Sequence, residues 1–233
     1  MAERSDRSDR SEWSSVFERF PPGRVPIVGP VGIFLHDWSK PEDGHPRLFD
    51  HAALEVLTTA HPRLVGSVYS LSAAVLVVLS INAGIGLLTI ATRAAIGAAV
   101  WSLAEYLIHR YAFHFVPRSR LGVALAYLSH GVHHAYPRDP DRLVLPLIVS
   151  APIGAALLAG AVMAGAWTFP LLAGFACGYL AYDLIHYRIH AYEADSGVFK
   201  WLRRYHFQHH FSVPDRQFGV STPFWDYVFR TGR

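Results

Sequence analysis

Cysteine and charge are both scarce in this sequence, and each shortage narrows what the chain can be. A single cysteine, Cys177, stands among 233 residues. No intrachain disulfide and no cysteine-rich zinc site can form, so a bound metal must be held by nitrogen or oxygen. Charged residues make up 17% of the chain against 52% hydrophobic ones, and they leave long stretches empty. The net charge of +3 is small and is not interleaved with base-stacking aromatics, which argues against nucleic acid as a partner. Residues 1–10 are rich in Arg, Ser and Asp and lead into no apolar run. They read as no signal peptide, and residues 1–20 are expected to be a disordered tail.

Two stretches hold no charge at all: Leu64 to Thr92, bounded by Arg63 and Arg93, and Leu143 to Tyr182. A helix needs about 20 apolar residues to cross a bilayer, so each stretch reads as a helical hairpin. Turns are expected near Asn82-Ala83-Gly84 and between Gly165 and Pro170. The expected fold is all-α and integral to the membrane. Its four transmembrane helices fall at about 64–81, 90–112, 143–164 and 169–190, within one membrane domain over 64–233. Residues 21–63 are expected to form an interfacial or cytoplasmic segment, with VPIVGPVGIFLHDW on the membrane surface. Arg93 alone among the Lys and Arg residues falls in either hairpin turn, which predicts that both termini and the 110–142 connection face the cytoplasm. A chain this short cannot bury four such helices in a soluble core.

Histidine is what the sequence has in concentration. Ten of its 14 histidines fall in four short windows: His109 and His114; His130, His133 and His134; His186 and His190; His206, His209 and His210. Residues three or four apart share a helix face, so both HxxHH words and the His186/His190 pair each present clustered imidazoles. His109 and His114 are five apart, which predicts a helix end or bend between them. On the four-span topology every window lies at the same membrane side, forming a histidine-rich helical cap. Imidazole suits iron, zinc, copper and nickel, and ten nitrogens divide naturally into a di-metal site with about five each. His36, His45, His51 and His61 stand alone and read as surface or interfacial residues.

The order HxxxxH, HxxHH, HxxxH, HxxHH resembles the fatty acid hydroxylase superfamily of membrane di-iron hydroxylases and sterol desaturases, most nearly its fatty acid 2-hydroxylases. The resemblance runs over about 100–233 through EYLIHRYAFH, HGVHHAYPRDPDRLVLP, YDLIHYRIH, YHFQHHF and FGVSTPFWDYVFRT. It implies that all ten clustered histidines ligate two iron ions. It also implies that dioxygen is the co-substrate and that a fatty acyl lipid is hydroxylated at C2. Zinc is expected to occupy the same ligands but has no redox chemistry. Residues 1–63 resemble no cytochrome b5 domain, so the resemblance implies a separate electron donor of cytochrome b5, ferredoxin or reductase type. The Ala/Gly/Arg-rich composition suits a bacterial inner membrane.

Ten neutral ligands leave about four positive charges of two divalent ions uncompensated in a low-dielectric setting. Glu105, one turn before His109, and Asp183, three before His186, are expected to orient the ligating imidazoles and offset that charge; Asp226 is a third carboxylate nearby. The competing reading makes Glu105 and Asp183 mere caps at the membrane interface. Two other functions stay open: a sterol- or carotenoid-modifying oxygenase of the same superfamily, and a non-catalytic metal-binding membrane protein.

Overall fold

A computed structural model describes residues 16–193 and 196–232, so most of the expected tail lies outside the described residues. In chain order come the strands β1 (Gly23–Val28) and β2 (Val31–Leu35), then helices α1 (Ala52–Leu57), α2 (Pro62–Asn82) and α3 (Leu87–Leu107). A π-helical segment (Ile108–Phe113) continues α3. Next follow α4 (Arg120–Ala126), a second π-helical segment (Tyr127–Gly131), α5 (Val132–Ala135), α6 (Leu147–Ala164) and α7 (Phe169–Ala191). The chain closes with α8 (Gly197–Phe211) and α9 (Phe224–Val228).

Among the described residues, four segments are long and apolar enough to cross a membrane: Pro62–Asn82, Leu87–Phe113, Pro140–Ala164 and Ala166–Ala191. At 1.5 Å per residue, the 21 residues of α2 rise about 31 Å, the thickness of bilayer hydrocarbon. Their outward side chains are bare apolar groups, among them Leu71, Leu88 and Met163, as lipid contact requires. The protein is a multi-pass membrane protein. The apolar stretches alone predict a third span from residue 143, yet α6 begins at Leu147. Residues 143–146 leave the helical path because their backbone is bound to α7, as described below.

Small residues set the central packing. A Cβ at Gly97 of α3 would collide with the Leu171 carbonyl, and one at Gly174 of α7 with the Ala94 carbonyl. The two helices therefore cross in backbone contact, as small residues allow where no hydrophobic effect drives association. Arg93 of α3 donates to the Trp167 carbonyl at 3.0 Å and lies over the Trp167 ring, tying α3 to the second hairpin turn.

The fold is mostly helical, as expected, and one small sheet accompanies the helices. GRVPIV and VGIFL form an antiparallel hairpin around Gly29-Pro30, because Gly29 takes φ +54°, a conformation glycine adopts at little cost. Its inward residues Val25, Ile33 and Leu35 join Trp38, Val123, Tyr127 and Tyr136 in one buried cluster. Val16 belongs to the same cluster, so the described end of the expected tail is ordered and packed. The N-terminal segment thus covers the helices that carry the second histidine window, and the stacked Trp38 and Tyr127 rings (5.3 Å) mark the contact. His36 is not a surface residue either: it is part of this contact, with Nδ1 2.9 Å from the Tyr136 hydroxyl.

Candidate metal centre

The fold brings all ten clustered histidines together and sorts them into two groups of five. His109, His114, His130, His134 and His209 form one; His133, His186, His190, His206 and His210 form the other. Within each group, one ring nitrogen per residue lies within 4.8 Å of all the others. Each HxxHH word is split between the groups. His130 and His134 serve the first group and His133 the second, while His209 serves the first and His206 and His210 the second. An i,i+4 pair shares one helix face, and the residue between points to its side, so each word bridges both groups.

The five-residue gap between His109 and His114 is resolved without a bend. Ile108–Phe113 is π-helical, and the wider turn brings residues five apart onto one face. The helix runs on to Phe113 and ends there, with His114 as its C-cap.

The imidazoles face one another and have few other partners. In the first group the Nε2 atoms of His109 and His130 are 3.1 Å apart, and those of His130 and His134 2.9 Å. In the second, His133 lies 2.9 Å from His186, and His210 3.0 Å from His206. His114 Nε2 and His209 Nε2 are buried without any hydrogen-bond partner. Burial, reinforced by neighbouring imidazoles, holds His114, His130, His133, His134, His206 and His210 well below the ordinary histidine range. Burial also lowers His209 to about 4. The rings are neutral near pH 7 and offer lone pairs. Buried lone pairs facing one another without donors are what a cation satisfies, so the residues present fit two metal ions.

Backbone carbonyls orient the rings. His109 Nδ1–H donates to the Phe218 carbonyl (2.6 Å), His209 Nδ1–H to Arg216 (2.6 Å) and His186 Nδ1–H to Leu143 (2.9 Å). Each such bond fixes the tautomer that leaves Nε2 free for a metal. Gln217, between two of these carbonyls, has φ +60°, an uncommon value outside glycine. Its amide donates to the Thr231 carbonyl (2.9 Å), which helps hold this turn.

Glu105 and Asp183 reach the rings at one remove. Glu105 is buried and accepts from the amides of Val220 (2.8 Å) and Ser221 (2.9 Å) and from the Ser221 hydroxyl. It thereby anchors the strand of chain whose Phe218 carbonyl faces His109. Asp183 accepts from the Leu145 amide (3.3 Å) and the Tyr179 hydroxyl (3.1 Å), anchoring the segment whose Leu143 carbonyl faces His186. Asp226 completes the first anchor, accepting from Phe218 N (3.0 Å) and Gly219 N (2.8 Å). Sequence reasoning named the three carboxylates but not the carbonyls of Leu143, Arg216 and Phe218, since a backbone acceptor leaves no mark in residue type. Only the FGVSTPFWDYVF word hinted that residues 218–229 belong to the site.

A cavity of about 620 Å³ leads to the histidines. Its walls come from α2, α6 and α7, reaching from Leu79, Leu158 and Leu172 to His130, His133 and His186. The lining is mostly apolar along the spans, with Tyr69 and Ser72 among the exceptions, and more polar near the cap.

Known proteins are similar to this chain in sequence and fold. Residues 94–231 match the Fatty acid hydroxylase family. A dihydroceramide fatty acyl 2-hydroxylase of Arabidopsis thaliana is 37% identical over 158 residues, covering 66% of this chain and 67% of the relative. The human fatty acid 2-hydroxylase is 37% identical over 146 residues, 58% of this chain but only 38% of the human protein. The solved structure of full-length scs7p, with only its hydroxylase domain visible, superposes with a TM-score of 0.69 at 31% identity, covering 76% of this chain and 69% of that one. With more than half of the chain matched, and all ten histidines inside the match, this protein belongs to the fatty acid hydroxylase family.

Proposed function

We propose that the protein is a dioxygen-dependent di-iron hydroxylase that places a hydroxyl group at C2 of a fatty acyl chain. The observation that carries this reading is the cavity, which joins the membrane interior to both histidine groups. From Leu172 to His186 along α7 it extends about 21 Å at 1.5 Å per residue, more than half the ~30 Å of bilayer hydrocarbon. An acyl tail lying between the spans would present its polar end to the cap. The ten histidines are the ligands in this reading, and Glu105 and Asp183 hold them in place. The position C2 and the acyl substrate rest on the names of the relatives.

Bound iron supplies the redox chemistry: the acyl C–H, dioxygen, two electrons and two protons yield C–OH and water. What this chain's own residues do is hold the rings neutral and oriented, exclude water by burial, and align the tail. The electrons come from a separate donor of cytochrome b5, ferredoxin or reductase type. The sparse positive charge at the hairpin turns supports a cytoplasmic cap with both termini on that side, and the composition supports a bacterial inner membrane.

Expression with an electron-donor system, followed by mass spectrometry of the lipids, tests the reading. Two bound irons per chain and 2-hydroxy acyl lipids are expected. Two irons with no hydroxylated lipid, or with hydroxylated sterol or carotenoid instead, overturns it.

A further inference from the structure

The side chain of Arg142 is 5% exposed, and two carboxylates more than cancel its charge. One terminal nitrogen donates to Asp139 and the other to Glu55, each at 2.6 Å. Asp139 is itself buried and also pairs with His45 Nδ1 at 2.7 Å. The third nitrogen, Nε, is buried and has no hydrogen-bond partner, although the residue lines the cavity beside Thr58. An interior N–H on a cation is seldom left unpaired, because its lost hydration goes unreplaced.

The location of Arg142 suggests what pairs with it. Its chain neighbour Leu143 supplies the carbonyl that orients His186, so Arg142 sits at the metal end of the cavity. If the reaction proposed above is right, the carbon attacked is bonded directly to the acyl carbonyl carbon, and that carbonyl must lie at this end too. Besides the histidine rings, Trp101 Nε1 and Ser150 Oγ are buried, unpartnered groups on the cavity wall among the described residues. Trp101 precedes His109 by eight residues, about 12 Å down the span. Ser150 lies beside the hydroxyl of Tyr179, which is seven residues or about 10 Å before His186, so both stand where methylene tail would lie.

We propose that Arg142 Nε–H binds the acyl carbonyl oxygen of the substrate, and that Glu55 and Asp139 make this donor selective for a neutral carbonyl over a carboxylate. A guanidinium with a free charge would prefer the anion and grip it with two nitrogens. Here both terminal nitrogens are engaged and the surrounding charge is negative, so a single N–H remains. An amide, ester or thioester carbonyl fits it; a free fatty acid carries repulsion.

The test uses the full chain, loaded with iron and assayed with N-palmitoylsphinganine and with palmitate. Arg142→Lys keeps a cation near Glu55 and Asp139 but has a methylene where Nε stands. It should raise KM for N-palmitoylsphinganine about tenfold, the worth of one hydrogen bond to a charged donor, with metal content unchanged. Glu55→Gln removes one compensating charge and should shift the product ratio several-fold toward 2-hydroxypalmitate. Equilibrium binding of N-palmitoylsphinganine to wild type and Arg142→Lys is read separately, so the outcome does not depend on turnover. Binding about tenfold weaker in the variant supports the assignment even if wild type hydroxylates nothing, which would defeat only the proposed reaction. Equal binding, or weakening that appears only together with metal loss, overturns it.

Discussion

At the scale of single residues, the carboxylates and carbonyls around the histidines form two matching chains of contact. Glu105 holds residues 220–221, and nearby Phe218 orients His109; Asp183 holds residue 145, and nearby Leu143 orients His186. Each carboxylate stands one turn before the histidine it serves, on the same helix. Glutamine at 105 has one carboxyl-type oxygen where three donors now converge. Glu105→Gln should therefore lower occupancy of the His109 group selectively, by tenfold or more in metal affinity, as such supporting partners typically do. Asp183→Asn should do the same to the His186 group. Metal content per chain after dialysis checks both, and a variant that keeps two tightly bound ions contradicts the scheme. The two carboxylates were legible in the sequence because an ionisable residue in an apolar span is conspicuous. Their actual partners were not, because those lie 115 and 38 positions away in the chain.

At the scale of elements, two local features carry the site. The π-helical segment Ile108–Phe113 makes a five-residue spacing act as a single turn. Inserting one alanine between Ala112 and Phe113 should swing His114 by about 100–120° around the helix and release one of two metals. Deleting Ala112 leaves the pair four apart on an ordinary α-helix and should retain both. Metal counting on the two variants distinguishes a π turn from a bend. The second feature is the glycine contact between α3 and α7. Gly174→Val drives a side chain into the Ala94 carbonyl and should cost more than about 3 kcal/mol or abolish folding. Gly160→Ala in α6, where an added Cβ meets nothing, should stabilise by up to about 1 kcal/mol through helix propensity. Thermal unfolding in detergent reads both.

At the scale of the whole molecule, the candidate metal centre joins four segments of chain. Its histidines come from the end of α3, the α4–α5 region, α7 and α8. An ion that binds only the folded state stabilises it by about 4 kcal/mol when present at a thousand times its Kd. Stripping two ions with a chelator should then lower Tm by at least about 10 °C. Zinc should restore Tm without restoring hydroxylation, because it satisfies the lone pairs but cannot change oxidation state. Recovery of both with zinc would contradict an iron-dependent reaction. The N-terminal segment adds to this assembly through Glu55, which bonds the amides of Leu48 and Phe49 as well as Arg142.

The sequence by itself determined the membrane spans, the ten histidines and their gathering at one end of the bundle. Apolar run length and helical periodicity are local quantities, and they survive any arrangement of the rest. Only the tertiary structure decided how the histidines divide, since each HxxHH word faces two ways and its neighbours choose the partner. It also decided the hairpin of residues 23–35, whose alternating pattern gains meaning from the cluster of Trp38, Tyr127 and Tyr136 that it covers. The carbonyls that orient the rings and the unpartnered nitrogen of Arg142 belong to the same class. They are properties of backbone and of enclosed space, and no residue letter records them.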